Sequence, residues 1–418
     1  MKFIFWFSLF MILYAYFGYA IALWLIDVYQ RLFKGKRFSA LSESPQILQS
    51  EESLPRVSFI ITAYNEEQRI TQKIENSIAQ DYPAGRLEII IASDCSSDRT
   101  DEIVLNNADK GIKLVRAPER KGKENAQMHA VQAATGDILV FSDVATILKP
   151  DAIQLIVRNF QEPTIGCVSS EDRFIDRDGK VSGEGLYVKY EMFIRKLESR
   201  VNSLVGLSGS FFAARRDVCR DWAPDLQSDF STLLNSVKLG LKGISDPNSI
   251  GYYENIADER KEFQRKVRTV LRGITVFMRY LHLLNPKAYG IFAWQLFSHK
   301  LCRWLVPIFL VIVIATNTAL IDRSFLYVLT LIVQISFYAA AAIHSVNAHK
   351  AVTHFEAFKE QSNTSSVKES AVDSIVKQTL VKIARISYYF VSVNVSILFA
   401  WFKYFSGERA TLWEPSKR

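Results

Sequence analysis

A long uncharged apolar run near the start of the chain restricts its folding more than any other feature. Residues 3–26 contain no charged side chain, and a helix of that length crosses the roughly 30 Å hydrocarbon layer of a bilayer. A cleaved signal peptide is the alternative, but the run exceeds the usual apolar core of about 7–15 residues and only Lys2 precedes it. We therefore expect an N-terminal transmembrane helix within residues 1–30.

The segment that follows, a basic linker at 31–54, predicts the orientation of the chain. Its cations are Arg31, Lys34, Lys36 and Arg37. Because Lys and Arg are retained on the cytoplasmic side of a membrane, we expect the domain after this linker to be cytoplasmic.

Further apolar stretches close the chain. We predict interfacial helices at 276–303, two transmembrane helices at 304–346, a polar linker at 347–385, a membrane segment at 386–405 and a basic tail at 406–418. Four spans from an outside N-terminus would place the C-terminus outside as well, whereas the basic tail favours the cytoplasm. Either the last segment is re-entrant or the charge bias is weak there, so the number of spans stays open.

The net charge of +8, from 51 Lys and Arg against 43 Asp and Glu, fits nucleic acid, an anionic membrane surface or a phosphorylated substrate. The cations cluster at the membrane flanks and within 260–272 rather than among aromatic stacking residues, which argues against nucleic acid. The four cysteines are far apart in the sequence and form no CxxC pair, so neither a zinc site nor a disulfide framework is expected.

Between the apolar ends, strand and helix patterns alternate. Apolar, β-branched runs at 57–63, 87–93, 112–117 and 137–143 are separated by amphipathic stretches such as 66–80 and 122–134. This alternation predicts an α/β domain of right-handed βαβ units with a mostly parallel sheet. Ligands of such sheets bind at the carboxyl ends of the strands.

Acidic residues occur where three of these predicted strands end. Asp94 and Asp143 each close a β-branched run, and Glu67 and Asp98 follow in the adjoining turns. A carboxylate at that edge can accept from a ribose or base, or bind Mg²⁺ beside a diphosphate. Capping of the next helix is the alternative, and it is favoured for Glu67 and Asp98.

Six stretches resemble the family 2 glycosyltransferases, which have the GT-A nucleotide-diphospho-sugar fold, and together they cover about residues 55–275. They are VSFIITAYNEEQRI, QDYPAGRLEIIIASDCSSDRTDEI, KGKENAQMHAVQAATGDILVFSDVATILKPDAI, VGLSGSFFAARRDV, QSDFSTLLNSVKLGLKG and EFQRKVRTVLRG. The flanking apolar segments resemble those of membrane-embedded bacterial polysaccharide synthases. The resemblance implies a cytoplasmic GT-A catalytic domain at 55–275 with transmembrane helices on both sides.

The resemblance also implies roles for the acids at the strand ends. Ala63, Tyr64 and Glu66 would line a uracil pocket, and Asp94 would hold the base or ribose. Asp143 occupies the first position of the family's DxD motif, which here reads Asp143-Val144-Ala145 and lacks the second acid. Asp143 alone, with waters and the diphosphate, would hold Mg²⁺ or Mn²⁺, because such ions need only one or two carboxylates.

Asp229, in the stretch Gln227-Ser228-Asp229-Phe230, stands where the family keeps its catalytic base. Transfer with inversion requires one carboxylate that takes the proton of the acceptor hydroxyl. On spacing alone, Ser228 or Asp229 would instead cap a helix at 229–239.

The segment 262–269 aligns with the synthases' QxxRW box. Arg265 and Arg268 take the Gln and Arg positions, and Thr269 replaces the Trp. Cations beside a leaving diphosphate would offset its developing charge, while a basic helix at the membrane surface is the alternative. Lys123, before a predicted helix, either meets phosphate or is a solvated charge.

The resemblance implies an inverting hexosyltransferase that moves sugar from a nucleoside-diphosphate sugar, with UDP expected, to a lipid-linked or growing saccharide. It would work in cell-surface polysaccharide or glycolipid synthesis at the cytoplasmic membrane of a bacterium, in contact with membrane lipids and assembly partners. A processive synthase with export is the alternative within the enzyme class. A sugar-nucleotide-binding assembly subunit with weak catalysis is the alternative outside it.

Overall fold

A computed structural model of the protein describes residues 1–33, 54–175, 186–254, 259–358 and 371–412. Most of the predicted basic linker and the last six residues of the predicted tail lie outside these ranges. The predicted polar linker is helical at 347–358 and 371–385, and its remainder lies outside the described residues.

Eight strands form one mixed sheet in the order β3-β2-β1-β4-β7-β6-β8-β5. The pairs β1–β2, β2–β3, β1–β4 and β6–β8 are parallel, and β7 runs antiparallel to both β4 and β6. The strands are β1 Val57–Ala63, β2 Leu87–Ser93, β3 Ile112–Arg116, β4 Ile138–Asp143, β5 Ile147–Leu148, β6 Ile165–Ile175, β7 Phe211–Arg215 and β8 Lys242–Glu254.

Helices cover both faces of this sheet, so all seven residues of β1 are buried. In β1, Phe59 and Ile61 pack in the core on one face, and Ile60 packs in the core on the other. The helices of this part are α3 Ile70–Ile78, α4 Thr100–Leu105, α5 Lys123–Ala133, α6 Ala152–Val157, α7 Leu186–Val201, α8 Ser228–Lys238 and α9 Glu259–Arg279. The α/β prediction is confirmed, and the bounds predicted for β1 and β2 agree with the structure.

The remaining helices form an apolar bundle beside this domain. They are α1 Lys2–Leu13, α2 Tyr19–Phe33, α10 Pro286–Tyr289, α11 Ile291–Leu296, α12 Arg303–Thr318, α13 Phe325–Phe358 and α14 Ala371–Phe405, with π-helical turns at Tyr14–Gly18 and Phe297–Cys302. Among the described residues, four helices are long and apolar enough to cross a membrane: Lys2–Phe33, Ile291–Thr318, Phe325–Val346 and Thr379–Phe405.

Buried and partly buried polar residues join the bundle to the α/β domain, and we call them the junction cluster: Tyr19, Glu191, Glu198, His299 and Arg303. The Tyr19 hydroxyl donates to Glu198 Oε1 at 2.5 Å, and His299 Nδ1 lies 2.6 Å from the same oxygen. Arg303 forms an ion pair with Glu191. The cluster therefore connects α2, α7, the second π-helical turn and α12 through polar contacts.

Candidate active site

The parallel pairing of β1 with β2 and β4 brings the strand-end acids to one edge of the sheet. Ala63 is in register with Ser93, and Thr62 is in register with Asp143. The backbone N–H of Asp94 donates to the Ala63 carbonyl at 3.0 Å. Residues that are distant in sequence thus meet as the alternating pattern predicted.

The turns after β1 and β2 have an unusual backbone. Asn65 has φ of 52° and Cys95 has φ of 56°, a region that side-chain-bearing residues rarely adopt. The two turns hold each other, because the Ser97 N–H donates to Asn65 Oδ1 at 2.8 Å and the Asn65 N–H donates to Ser96 Oγ at 3.1 Å. Such backbone strain is often stored at functional sites.

The predicted base pocket is built around an aromatic ring. The Arg120 guanidinium lies 4.0 Å from the centroid of the Tyr64 ring, a cation–π contact. Ala63 is fully buried at the strand end, and Glu66 is buried 3.6 Å from Arg69. Among the residues predicted to line the base pocket, Tyr64 is therefore the one that could stack on a base.

Glu67 and Asp98 tie the same turns together. Asp98 accepts from the Thr100 N–H at 3.0 Å and from the Glu67 N–H at 3.1 Å, while Glu67 accepts from the Arg99 N–H at 3.2 Å. The contact of Asp98 with the first residue of α4 is the capping alternative expected from the sequence.

Asp94 is fully buried and fixes the loop that leads into α5. Its carboxylate accepts from the backbone N–H of Lys121 at 3.1 Å and of Gly122 at 3.0 Å. Gly122 has φ of 104°, which suits glycine here. Burial raises the pKa of Asp94, and the N–H groups of Gly122 and Lys121 and the charge of Arg120 oppose that rise.

Asp143 ends β4 in contact with a lysine from α5. Lys123 Nζ donates to Asp143 Oδ1 at 2.5 Å and to the Gly209 carbonyl at 2.9 Å. The Lys123 side chain is 10% exposed and that of Asp143 is 29% exposed. The solvated-charge alternative for Lys123 is therefore wrong, since this lysine is part of the buried centre.

A divalent ion fits at Asp143 only with help from a bound substrate. Ala145 stands where a second acid would bind the ion, and no group of three acidic, His or Cys side chains suited to a metal occurs among the described residues. Mg²⁺ retains several waters and is bound by one or two carboxylates plus substrate phosphates. The partly exposed Asp143 carboxylate meets that requirement.

Asp229 lies in the first turn of α8, where it faces the turn between Ser208 and Ser210. The helix begins at Ser228, and its N-cap residue Gln227 makes no capping hydrogen bond through its side chain. Gln227 Nε2 instead donates to Asp229 Oδ2 at 3.1 Å. Asp229 is therefore a first-turn residue and not the N-cap residue, and its carboxylate faces Gly209.

The surroundings of Asp229 raise its pKa. Burial is the largest cause, and it is opposed by the charges of Lys123 and Arg272 and reinforced by that of Glu124. A carboxylate with a raised pKa is a stronger base than an ordinary aspartate. Gly209 leaves room for it, since a Cβ at that residue would lie 3.1 Å from Asp229 Oδ2.

The predicted diphosphate cations lie on α9. Arg265 pairs with Glu262 of its own helix at 2.9 Å, and its side chain is 38% exposed. Arg268 lies one turn further along the same helix. Another turn on, Arg272 forms an ion pair with Glu124 in the first turn of α5. Arg272 is thus the α9 cation whose ion pair reaches the Asp143–Asp229 centre.

Sequence reasoning missed three other charged residues at the centre. Asp172 of β6 accepts from Ser208 Oγ at 2.7 Å and from the Ser210 hydroxyl. Lys73 of α3 donates to Ser142 Oγ at 2.9 Å, and burial lowers the pKa of Lys73 to about 7. Arg272 comes one helical turn after Arg268 in the sequence, and this spacing could have identified it as a further cation on the same helix face.

Comparison with known proteins identifies the domain that carries this centre. Residues 58–222 match the family model described as Glycosyl transferase family 2. This stretch is a family 2 glycosyltransferase domain. The resemblance inferred from the sequence is confirmed for it.

Two bacterial relatives are similar to the region around the family 2 glycosyltransferase domain. The poly-β-1,6-N-acetyl-D-glucosamine synthase of Staphylococcus aureus strain COL is 26% identical over 229 residues, which is 53% of this chain and 54% of the relative. The synthase of the same name from Staphylococcus epidermidis is 24% identical over 212 residues, 49% of this chain and 50% of the relative. The chain spans about half the length of the curated relatives that it matches.

A solved structure resembles the whole chain. It is a mannosyltransferase from Pyrobaculum calidifontis in complex with GDP-Man and Mn²⁺, with a TM-score of 0.66 and 18% identity over 97% of this chain and 100% of the other. At that identity the likeness concerns the fold alone, and it confirms the expected GT-A fold.

Proposed function

We propose that this protein is an inverting glycosyltransferase of polysaccharide synthesis, which moves sugar from a UDP-sugar to a lipid-linked or growing saccharide at a membrane. The observation that carries the proposal is the meeting of Asp143, Lys123 and Asp229 around Gly209. Lys123 donates both to Asp143 and to the Gly209 carbonyl, and the Asp229 carboxylate lies beside the Cα of the same glycine. The two bacterial relatives support a role in polysaccharide synthesis.

The chain's own residues account for the steps of transfer. Tyr64 and Asp94 would hold the nucleotide, and Lys123 would meet the diphosphate beside Asp143. Asp229 takes the proton of the acceptor hydroxyl as the acceptor oxygen bonds to the anomeric carbon. The bond from that carbon to the diphosphate breaks, and UDP leaves with the electron pair. Arg272, Arg268 and Arg265 supply positive charge along α9 for the departing group.

A divalent ion, when bound at Asp143, would neutralise charge on the diphosphate. The Mn²⁺ complex of the mannosyltransferase with the same fold supports this dependence. We expect Asp143→Asn to weaken Mn²⁺ binding in the presence of UDP, as measured by titration calorimetry. Unchanged Mn²⁺ affinity in that variant would exclude Asp143 as the ligand.

The decisive experiment measures UDP release by the purified full chain with Asp229→Asn as the variant. Loss of the base should lower kcat by about 10²- to 10⁴-fold, while donor binding persists. Asp225→Asn is the matched control, because Asp225 lies four residues earlier and pairs with Arg279 on the surface. Turnover by Asp229→Asn within twofold of the wild type would refute the proposal.

The donor is tested by the same kind of assay, which here measures release of either UDP or GDP. UDP-N-acetylglucosamine, UDP-glucose and GDP-mannose are each supplied with and without Mg²⁺ or Mn²⁺. We expect turnover with a UDP-sugar that depends on the ion. Tight binding of a donor without turnover of any of them would indicate an assembly subunit instead of an enzyme.

The length of the product separates the two modes of transfer. The bacterial relatives are synthases of a polymer, and this favours repeated addition. Limited addition to a lipid carrier would give short products on a gel, whereas a processive synthase would give a long polymer at early times.

A further inference from the structure

The C-terminal helix α14 ends beside the family 2 glycosyltransferase domain. Its Trp401 Nε1 donates to the carbonyl of Trp304, in the first turn of α12, at 2.9 Å. Phe399 packs edge-on against Phe263 of α9, with 6.1 Å between ring centroids. Beyond the helix, the backbone of Thr411 lies so close to Gly122 that a Cβ there would collide with its carbonyl. The described tail therefore lies on the same side of the bundle as the domain.

The helices α12 and α13 form an antiparallel hairpin that defines the two sides of the bundle. The side-chain amide of Asn317 forms a hydrogen bond with the Thr330 hydroxyl, and Gln334 Nε2 donates to the Leu310 carbonyl at 3.3 Å. From the far end of the hairpin at Phe325, His344 is 344 − 325 = 19 residues along α13. That distance is about 29 Å, close to the thickness of the hydrocarbon layer. His344 thus marks the surface on the domain side.

Two points on α14 are level with that same surface. Tyr388 packs against His344 with 5.2 Å between ring centroids, and Trp401 bonds to Trp304 at the domain end of α12. These points are 401 − 388 = 13 residues apart. If α14 crossed the layer antiparallel to α13, Trp401 would instead be level with about Leu331, towards the far end. The segment 388–401 therefore begins and ends near the domain-side surface, and between these points Phe390 contacts Phe337 of α13 and Asn394 contacts Tyr16.

The side chains of α14 fit a membrane surface. Ile383, Ile386 and Phe402 are large apolar residues that are at least half exposed. The exposed cations Lys382 and Arg385 lie on the same helix. Aromatic and aliphatic residues combined with cations are typical of helices that lie in the headgroup layer.

We propose that α14 lies in the headgroup layer of the leaflet that faces the catalytic domain, with lipid as the occupant of its apolar face. It does not cross the bilayer, so the described part of the tail, at 406–412, lies on the domain side, against the Gly122 loop. The inference goes beyond the proposed reaction and depends only on the chain being embedded in a membrane. Four crossing helices would place the basic tail on the side opposite the catalytic domain. With three crossing helices and α14 at the surface, the tail lies on the cytoplasmic side that its charge favours.

The first test is labelling of single cysteines with a membrane-impermeant maleimide in sealed vesicles of either orientation. The full chain carries Cys95→Ser, because Cys95 is partly exposed whereas the other three cysteines are buried. Glu408→Cys reports the tail, Asp109→Cys the catalytic domain and Asp322→Cys the α12–α13 turn. We expect Glu408→Cys to label in the same vesicles as Asp109→Cys and in the opposite vesicles to Asp322→Cys. Labelling together with Asp322→Cys would overturn the proposal.

The second test measures the depth of nitroxide labels in nanodiscs that contain anionic lipid. Ile383→Cys and Phe402→Cys carry the label, and its accessibility to oxygen and to a nickel chelate gives the depth. We expect both labels at a similar shallow depth, within about 5–10 Å of the headgroup boundary. A crossing helix would separate the two depths by about 28 Å. That result, or dipolar coupling showing a second copy on this face, would overturn the proposal. Neither measurement requires turnover, so a failed transferase assay leaves the inference testable.

Discussion

At the scale of single residues, Gly209 connects the two halves of the candidate centre. Its carbonyl accepts from Lys123, and its Cα faces the carboxylate of Asp229. A side chain at this residue would displace the carboxylate or the turn that carries the lysine contact. Gly206, in the same glycine-containing segment, faces only the flexible end of Lys300, since a Cβ there would lie 3.3 Å from Lys300 Nζ.

The two glycines provide a matched pair of variants. We expect Gly209→Ala to lower kcat by about tenfold or more, because an imposed shift of about 1 Å in a catalytic group has effects of that size or larger. Gly206→Ala should remain within about threefold of the wild type, because the lysine can move away. UDP release and donor affinity are measured for both. Equal losses in the two variants would contradict a specific role for Gly209.

The strand-end residues were predictable, and their partners were not. Asp94 and Asp143 follow β-branched runs, and parallel register places the ends of such runs together. The bond from Lys123 to Asp143 depends on how α5 docks against the sheet, which local sequence does not encode. The same holds for Asp172, whose partners Ser208 and Ser210 are on a turn far along the chain.

At the scale of elements, the ion pair of Arg272 with Glu124 joins α9 to α5 near Asp229. The two charges act on the pKa of Asp229 in opposite directions, since Arg272 lowers it and Glu124 raises it. The packing of these helices therefore adjusts the basicity of a residue on a third helix, α8.

This arrangement predicts that removing Arg272 and removing Glu124 shift the pH dependence of kcat/KM in opposite directions. The proposed base Asp229 must be ionised to accept a proton, so kcat/KM should rise with pH through an apparent pKa above the ordinary aspartate value of about 3.9. Arg272→Gln removes a cation that lowers the pKa of Asp229 and should move that acid limb to higher pH. Glu124→Gln removes an anion and should move it down. Profiles that shift in the same direction would show that neither charge acts through Asp229.

Elements with strong periodicity were predicted from sequence, and those decided by tertiary contacts were not. The strands β1 and β2 are buried on both faces, so their apolar runs have clear limits. The antiparallel direction of β7 leaves no local signal in a five-residue strand. For α14, composition permitted a crossing helix, and only the contacts of Tyr388 and Trp401 indicate its orientation.

At the scale of the whole molecule, the junction cluster holds the catalytic domain against the apolar bundle. Its members come from four elements of the fold, and all are buried except Glu191, which is partly buried. Breaking one ion pair of this kind leaves an uncompensated buried charge. The orientation of the domain relative to the bundle is therefore fixed by charge pairing as well as by apolar packing.

A double-mutant cycle at Glu191 and Arg303 tests that role. Each of Glu191→Gln and Arg303→Met should destabilise the protein by about 3–5 kcal/mol, and the double variant by less than the sum. Glu408→Gln is the control, because its pair with Lys403 is exposed and contributes about 0–1 kcal/mol. Thermal unfolding in detergent, followed by tryptophan fluorescence, provides the measurement. Additive effects of the two single variants would show that this pair does not couple the parts.

The contact of Arg120 with Tyr64 has a consequence for substrate entry. The guanidinium covers one face of the Tyr64 ring. Under the proposed function, a nucleotide base that stacks on that face would displace the guanidinium, whose contact contributes about 0.5–1 kcal/mol at an exposed site. Recognition of the base would then be an exchange of partners, in which the aromatic ring loses a cation and gains a base.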